Sequence, residues 1–518
     1  MRLLLPILMA LAPASAQSAA PDRSDLTDLA DQELLGLFNR QIAGDAENHC
    51  QISALISEMV RRNLSGGIDG YQAEYATRCA IDRQDWAEAY RNMKQWEKLG
   101  GDNAPTMEWG FRLAFVAAEY DEALDRLEIL ARLDDPWQLT SLSDDILFAL
   151  VQRFNKDDDN DRSMRLYRTL YRSPHFERLS TDIRSISASR MLKMQIETDG
   201  AGALGDVGDM LGQISSPYSY IPLLADRLYE PIWPQIEQHA GPNMANILTR
   251  NLQERKSGFE AKPDDKEKRQ QYGHSLLFSG RFEDVVTLAA AIDHSDAGSQ
   301  SWNEDDGWML NLEAYALDAL GDTEAADRIF DQFGKIDHRP GENPWLVNFV
   351  INRASRLVAQ GRWGEGLAAS QLAAEVSKDS GSPYANMLVR KARLCALHGL
   401  GRSEETQAVM SDIVENQDDA LEVAANALLC AGEREQAARM VIKGLEDDKK
   451  QAQFIEALQK PAFELFYAAS TLPNIHEELG NHPDVAKVFD RLARPVPDDF
   501  IPLVGARRKS LAAERASN

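Results

Sequence analysis

Several patterns are scarce in this chain of 518 residues, and each scarcity excludes a class of protein. No uncharged apolar run reaches the roughly 20 residues that span a bilayer, so we expect the mature chain to be soluble. Basic residues are outnumbered, since 56 Lys and Arg face 82 Asp and Glu for a formal net charge of −26. Such a chain repels polyphosphates and anionic membrane surfaces, which disfavours nucleic-acid binding.

Recognisable catalytic motifs are missing as well. The sequence contains neither a Gly-x-Ser-x-Gly nucleophile elbow nor a phosphate-binding Gly-x-x-x-x-Gly-Lys loop. The run at 157–161 alternates aspartates as an EF-hand loop does, but the glycine and the final glutamate of such a loop are absent. His476 and His482 are too far apart for a helical zinc motif, whose two histidines are separated by four positions. We therefore predict no enzymatic activity, no metal and no cofactor.

Cysteine is rare but even in number, with four residues in the whole chain. In an exported protein an even number permits disulfides. The favoured pair is Cys50 with Cys79, because antiparallel packing of two predicted helices brings their ends together. The weaker pair is Cys395 with Cys430, on the first helices of successive repeats. The alternative is that all four are buried apolar thiols, the commonest state of cysteine.

The first 16 residues have the organisation of a secretory signal peptide. Arg2 supplies the positive start, Leu3 to Ala12 form the apolar core, and Ala14-Ser15-Ala16 is an A-x-A cleavage site. A short membrane anchor is the alternative, but the apolar run is too short to span a bilayer. We predict cleavage after Ala16 and location in the periplasm or outside the cell.

The most regular feature of the sequence is a glycine that recurs at Gly280, Gly321, Gly361 and Gly401, at intervals of 41, 40 and 40 residues. Each glycine ends an apolar stretch of helical period and is followed by a short acidic segment that begins another. In less regular repeats, the equivalent turn position falls at Gln84, Ala118, Gly432 and Gly480. A fixed period of this length is the signature of a stacked-repeat architecture.

A second marker gives the same period. A capping residue, a proline and an aromatic residue begin several predicted helices, because the cap accepts a free N–H and proline loses no bond at the first helical position. The marker stands at Asp135-Pro136-Trp137, Ser216-Pro217-Tyr218, Asn343-Pro344-Trp345 and Ser382-Pro383-Tyr384. Sustained period-2 alternation, the mark of half-buried strands, is absent from the sequence.

The combination of small residue, turn glycine, aromatic and acidic pair resembles the tetratricopeptide-type helical repeat, most clearly over 84–133 and 275–447. The resemblance implies an all-α solenoid of antiparallel helix pairs, a TPR-like superhelix in which each pair relies on its neighbours for a core. The glycine spacing exceeds the roughly 34 residues usual for that family, which leaves room for a related helical-pair solenoid.

We predict five segments along the chain. They are a signal peptide over 1–16, an N-terminal repeat half over 17–199, an irregular segment or hinge over 200–263, a C-terminal repeat half over 264–495 and a flexible tail over 496–518. The irregular segment is set apart by its closely spaced glycines and prolines, which interrupt helical periodicity.

A solenoid of this type offers a surface for holding a partner. Trp302 and Trp308 flank an acidic turn and are the aromatic residues least committed to a core, so they form the predicted ligand surface. The acidic charge favours a protein partner with a basic face. We expect an exported, non-catalytic scaffold for protein–protein interactions in the bacterial periplasm or cell envelope. The alternatives are the helical body of a cell-wall or polysaccharide-processing enzyme, and a glycan-binding protein.

Overall fold

The computed structural model describes residues 26–43, 48–64, 69–100, 104–134, 139, 144–156, 159–199, 207–337, 339, 343–460, 470 and 472–504. The predicted signal peptide and the part of the predicted tail after residue 504 lie outside these residues. The chain separates into two compact units, residues 1–194 and 195–518, and each is described by itself.

The described part of the chain is all-α, and the only β-type pairing within it is a single antiparallel bridge between Asp226 and Ala493. Consecutive helices pack against each other in pairs. The predicted fold class, an all-α solenoid of helix pairs, is therefore confirmed. None of the described helices is long and apolar enough to cross a membrane.

The first unit is a succession of antiparallel helices. They are α1 (Asp31–Ala43), α2 (His49–Arg61), α3 (Asp69–Asp82), α4 (Trp86–Gly100), α5 (Ala104–Val116), α6 (Tyr120–Leu130), α7 (Asp144–Lys156), α8 (Asn160–Tyr171) and α9 (Thr181–Asp199), whose last residues belong to the second unit.

The core of the first unit is continuous from α5 to α8. Phe111, Leu127, Phe154 and Leu166 come from these four helices in turn, and all four are buried in one cluster. Burying a side chain of this size contributes about 1.5–3 kcal/mol. Each helix pair is therefore stabilised mainly by the neighbours on which it stacks.

The second unit begins with short helices and continues with regular pairs. Its α-helices are α10 (Val207–Gln213), α11 (Pro217–Ala225), α12 (Trp233–Ala240), α13 (Ala245–Ala261), α14 (Lys266–Phe278), α15 (Phe282–Ala289), α16 (Asp296–Ser299), α17 (Glu304–Leu320), α18 (Thr323–Phe333), α19 (Leu346–Ala359), α20 (Trp363–Ser380), α21 (Pro383–Gly399), α22 (Ser403–Glu415), α23 (Leu421–Cys430), α24 (Arg434–Leu445), α25 (Gln451–Ala457), α26 (Ile475–Leu479) and α27 (Pro483–Leu492). Its 3₁₀ helices are Arg227–Ile232, Pro242–Met244, Gln417–Asp419 and Asp498–Phe500.

The turn inside a helix pair repeats one backbone geometry. A residue with positive φ follows the first helix, a conformation that glycine adopts freely and other residues adopt at a cost. The next residue donates its N–H to the carbonyl five positions back, as Asp322 does to Leu317 at 2.9 Å, which is the Schellman pattern. The positive-φ residues at these turns are Asn63, Gln84, Ala118, Gly280, Gly321, Gly361, Gly401 and Gly432.

The predicted turn positions Gln84, Ala118 and Gly432 are thus confirmed. Gly480 also lies in a turn, between α26 and α27, but its φ of −56° is helical. The turn at Asn63 has the same left-handed geometry and is not among the predicted positions.

The predicted helix starts have mixed outcomes. Ser382 accepts a hydrogen bond from the Ala385 N–H at 3.1 Å and Pro383 is the first residue of α21, as expected. Ser216 precedes α11 without a side-chain cap. The start predicted at Pro344 is wrong, because α19 begins two residues later at Leu346. The start predicted at Pro136 lies outside the described residues.

The first helices of the pairs in the second unit form a closed circuit. Each packs against the next in the order α14, α17, α19, α21, α23 and α25. Helix α25 then packs against α11, and α11 reaches α14 through Tyr218 and Phe278, whose ring centroids are 5.0 Å apart. The second helices of the pairs, α15, α18, α20, α22 and α24, pack against the other side of this circuit.

An arginine near the end of the described chain ties the segment after α27 to α11 and α12. Arg494 donates from Nε to the Leu224 carbonyl at 2.9 Å and from Nη2 to Glu237 at 2.7 Å, and its guanidinium lies 3.6 Å from the Trp233 ring centroid. We call these contacts the Arg494 clasp. The described part of the predicted irregular segment, 207–263, therefore joins the two ends of the circuit within its own unit.

Candidate binding surface inside the second unit

Partly exposed side chains lie along the first helices of the circuit. On α21, Tyr384, Leu388 and Lys391 follow one another at steps of four and three residues, so they form a single stripe along the helix. Half of the Tyr384 side chain is exposed, at 50%, although tyrosine is normally more buried. On α11, Tyr218 keeps partial exposure while its ring packs against α14.

The next two helices of the circuit contribute carboxylates and amides. The Gln453 amide on α25 donates to Glu422 on α23 at 2.8 Å. The Asn426 amide donates to the other oxygen of the same carboxylate at 3.2 Å. Glu456 lies one turn beyond Gln453 on α25 and is exposed. Glu422 is therefore held in a fixed orientation between two helices.

Electrostatic interactions connect these groups across four helices. Glu422 interacts with Tyr384 and Lys391 on α21 and with Glu456 on α25. Glu456 interacts in turn with Tyr218 on α11. We call these five residues, Tyr218, Tyr384, Lys391, Glu422 and Glu456, the inner cluster.

The surrounding protein shifts the pKa values of the inner cluster. Burial raises the pKa of Glu456 to about 6, and the neighbouring Glu422 carboxylate adds to the rise. Burial likewise raises the pKa of Tyr218 and of Tyr384, and it lowers the pKa of Lys391. Even so, Glu456 and Tyr384 are exposed and Lys391 is partly exposed. These side chains therefore reach water while the surrounding protein disfavours their charged forms.

Trp302 and Trp308, the predicted ligand surface, are more buried in the structure than the sequence suggests. Trp302 is only 7% exposed, its indole N–H donates to the Asp293 carbonyl at 3.0 Å, and its ring packs on Phe333. Trp308 is half-buried and its ring lies 5.0 Å from that of Phe349. Both indoles are used in packing between helix pairs, because each finds aromatic partners on a neighbouring helix.

The cysteines form two disulfides in the structure. Cys50 on α2 is bonded to Cys79 on α3, with their Cα atoms 4.4 Å apart. Cys395 on α21 is bonded to Cys430 at the end of α23, with Cα atoms 5.2 Å apart. The second bridge ties together two helices of the circuit that carry the inner cluster.

The residues of the rejected motifs have structural roles. Asp159 caps α8 by accepting a hydrogen bond from the Arg162 N–H at 3.0 Å, whereas Asp157 lies outside the described residues. The His476 ring bonds the Leu458 carbonyl at 2.8 Å, and His482 lies beside Glu435. Among the described residues no group of three or more His, Cys, Asp or Glu side chains could hold a metal ion.

The sequence reasoning missed the inner cluster. Its members come from positions as far apart as Tyr218 and Glu456, and only the closure of the circuit brings those two together. One signal was present, since Lys391 and Glu422 both stand ten residues before a turn glycine, at Gly401 and Gly432. Equal phase in successive repeats places both side chains on the same face of the stack.

No protein-family model matches the chain, and a search of curated proteins finds no significant match.

Proposed function

We propose that the chain is an exported, non-catalytic scaffold of tetratricopeptide type in the bacterial periplasm or cell envelope. Its second unit holds a basic segment of a protein partner against the inner cluster. The observation that carries this proposal is the pair of carboxylates, Glu422 and Glu456, which repel each other in partly desolvated surroundings. A cationic side chain between them relieves that repulsion.

The neighbouring groups suit such a ligand. The half-exposed Tyr384 ring and the Tyr218 ring lie on the helices that flank the two carboxylates, and tyrosine faces attract cations. The Gln453 amide fixes Glu422 without neutralising it. Lys391 supplies the one positive charge of the inner cluster, so the five residues are net negative when both glutamates are ionised.

The chain as a whole supports a partner of this kind. Its formal net charge of −26 attracts a basic segment over a long range and increases the rate of encounter. The helix pairs also stack as a repeat protein does, an architecture that usually binds through many shallow contacts on one extended surface.

A photocrosslinking experiment in the native host tests the proposal. A benzophenone amino acid replaces Tyr384, and the matched control replaces Tyr71 of the first unit, which is similarly exposed at 54%. We expect protein adducts from position 384 whose yield falls with added salt. The Glu422→Gln/Glu456→Gln variant should lose them, whereas Glu324→Gln/Glu404→Gln, with the same charge change on α18 and α22, should keep them.

Several outcomes count against this function. Equal adducts from position 71 would indicate non-specific contact, and the absence of protein adducts at 384 would remove the binding site. An adduct that carries sugar in place of peptide would favour the glycan-binding alternative. Recovery of the chain in the cytoplasmic fraction with residues 1–16 intact would contradict export.

A further inference from the structure

A cavity in the first unit has the opposite charge to the chain as a whole. Its volume is about 140 Å³, and it lies between α6 and α8. Four arginines line it, namely Arg132, Arg165, Arg168 and Arg172. Such a concentration of guanidinium groups is unexpected in a chain whose acids exceed its bases by 26.

Only one of the four arginines is neutralised by carboxylates. Arg165 donates to Glu128 at 2.7 Å and to Asp125 at 2.5 Å. Arg168 donates to the Met194 sulfur, a weak acceptor, at 3.3 Å. Arg132, Arg168 and Arg172 form no ion pair with any residue that the structure describes, and all three are exposed. Solvent therefore reaches their guanidinium groups, as a ligand would.

The charge balance is positive among the described lining residues and the ion-pair partners of Arg165. Four positive charges face the two negative charges of Glu128 and Asp125, which leaves an excess of two. Helices α6 and α8 both end here, and each helix C-terminus carries about half a negative charge. An excess of about one positive charge is left, so stabilisation of the helix ends does not account for all of the arginines.

The chemistry of the lining selects an acceptor ligand. The Thr169 hydroxyl donates to the Arg165 carbonyl at 2.9 Å, and the Ser173 hydroxyl donates to the Ala131 carbonyl at 2.8 Å. The lining therefore offers guanidinium donors, those of Arg132, Arg168 and Arg172 being exposed, and the planar forks of such groups match phosphate oxygens in pairs. At about 30 Å³ per water, the cavity has room for a tetrahedral oxyanion with a few waters.

We propose that this arginine cavity binds a phosphate-type oxyanion, either as free phosphate or as the terminal phosphate of a larger molecule. The site is independent of the inner cluster, because it lies in the other unit and takes a ligand of opposite charge. The phosphate-site proposal can therefore be refuted while the proposed function stands, and the reverse is also true.

Calorimetric titration of the full-length chain with inorganic phosphate at low ionic strength tests the site, since salt screens exposed charges. We expect Arg168→Gln/Arg172→Gln to weaken phosphate binding by about tenfold or more, as charged hydrogen bonds are lost. Arg91→Gln/Arg178→Gln, which removes two exposed arginines of the same unit outside the cavity lining, should change binding by less than about twofold.

A second variant should change phosphate affinity in the opposite direction. It keeps all four arginines, so its result does not depend on whether the chain folds without them. Asp125→Asn removes a carboxylate from Arg165, so phosphate should bind about two- to threefold more tightly. Vesicles containing phosphatidic acid, compared with phosphatidylcholine alone, then distinguish a lipid phosphate from a free one. The proposal is overturned if phosphate does not bind, if both arginine pairs respond alike, or if a polyglutamate peptide binds where phosphate does not.

Discussion

Replacing a turn glycine by alanine isolates the energetic cost of the left-handed turn. Gly432 has a φ of +81°, and an added Cβ at this position would meet no heavy atom within 4 Å. The substitution therefore changes backbone strain and leaves side-chain packing as it is. The left-handed conformation costs about 1–2 kcal/mol for a residue with a Cβ. Alanine also lowers the conformational entropy of the unfolded chain, which stabilises the folded state by about 0.4–1 kcal/mol and offsets part of this cost. We expect Gly432→Ala to lower the free energy of unfolding by about 0.5–1.5 kcal/mol.

Two further substitutions test whether the change in stability comes from the left-handed backbone conformation. Gly364 lies in the first turn of α20, has no positive φ and would also place its Cβ in open space. Gly364→Ala should therefore stabilise the chain by about 0.5 kcal/mol through helix propensity. Ala118 has a φ of +62°, so Ala118→Gly should release strain and gain about 0.5–1 kcal/mol.

Urea unfolding followed by far-ultraviolet circular dichroism measures all three changes. The slope against urea should stay constant, since none of the variants changes the surface exposed on unfolding. If Gly432→Ala and Gly364→Ala shift the midpoint in the same direction, the left-handed turn is not the cause. A loss of stability in Ala118→Gly equal to that of an ordinary helix glycine would contradict the reasoning as well.

Three more predictions follow from contacts described above. Cys395→Ser/Cys430→Ser should lower the free energy of unfolding by about 3–4 kcal/mol, because the disulfide closes a loop of 35 residues. In the native wild-type protein, titration of thiols by absorbance should detect no reactive cysteine. Because the pKa of Glu456 is raised from 4.5 to about 6, the folded state binds more protons than the unfolded state between these values, and stability falls as the pH rises through them. Solvent screening limits this loss of stability to about 1 kcal/mol. Glu456→Gln should not show it, and thermal melts of both proteins from pH 4 to pH 7 measure the difference. Arg494→Met should increase hydrogen exchange over 217–244 with little change at 304–333. An equal change of exchange in both ranges would show that the Arg494 clasp does not specifically stabilise α11 and α12.

The sequence was sufficient for the features that local chemistry determines. The recurring glycines predict the turns because glycine alone adopts positive φ without strain, and the turns at Gly280, Gly321, Gly361 and Gly401 lie where predicted. The start predicted at Pro344 failed because proline is also favoured in the turn before a helix, and Asn343 uses its amide to bond the Asp337 carbonyl.

The candidate site depends on contacts that leave no local signal. Arg494 meets Leu224 across 270 positions, and no periodic pattern links two such residues. Trp302 was misplaced for a similar reason, because the flanking acids suggested exposure while its actual partner, Phe333, lies on the helix after next. Burial of an aromatic ring is decided by which helices neighbour it in space, and spacing along the chain only limits the choices.

Closure of the second unit restricts how a ligand can arrive. An open helical array can be laid sideways along a polypeptide, so an internal loop of the partner is as accessible as its end. In this unit the succession of first helices has no free end within the described residues, because α25 packs against α11 and α11 against α14. Widening the array to admit a larger partner would therefore require one of these contacts to separate. Exchange of such a partner would be slowed by that step.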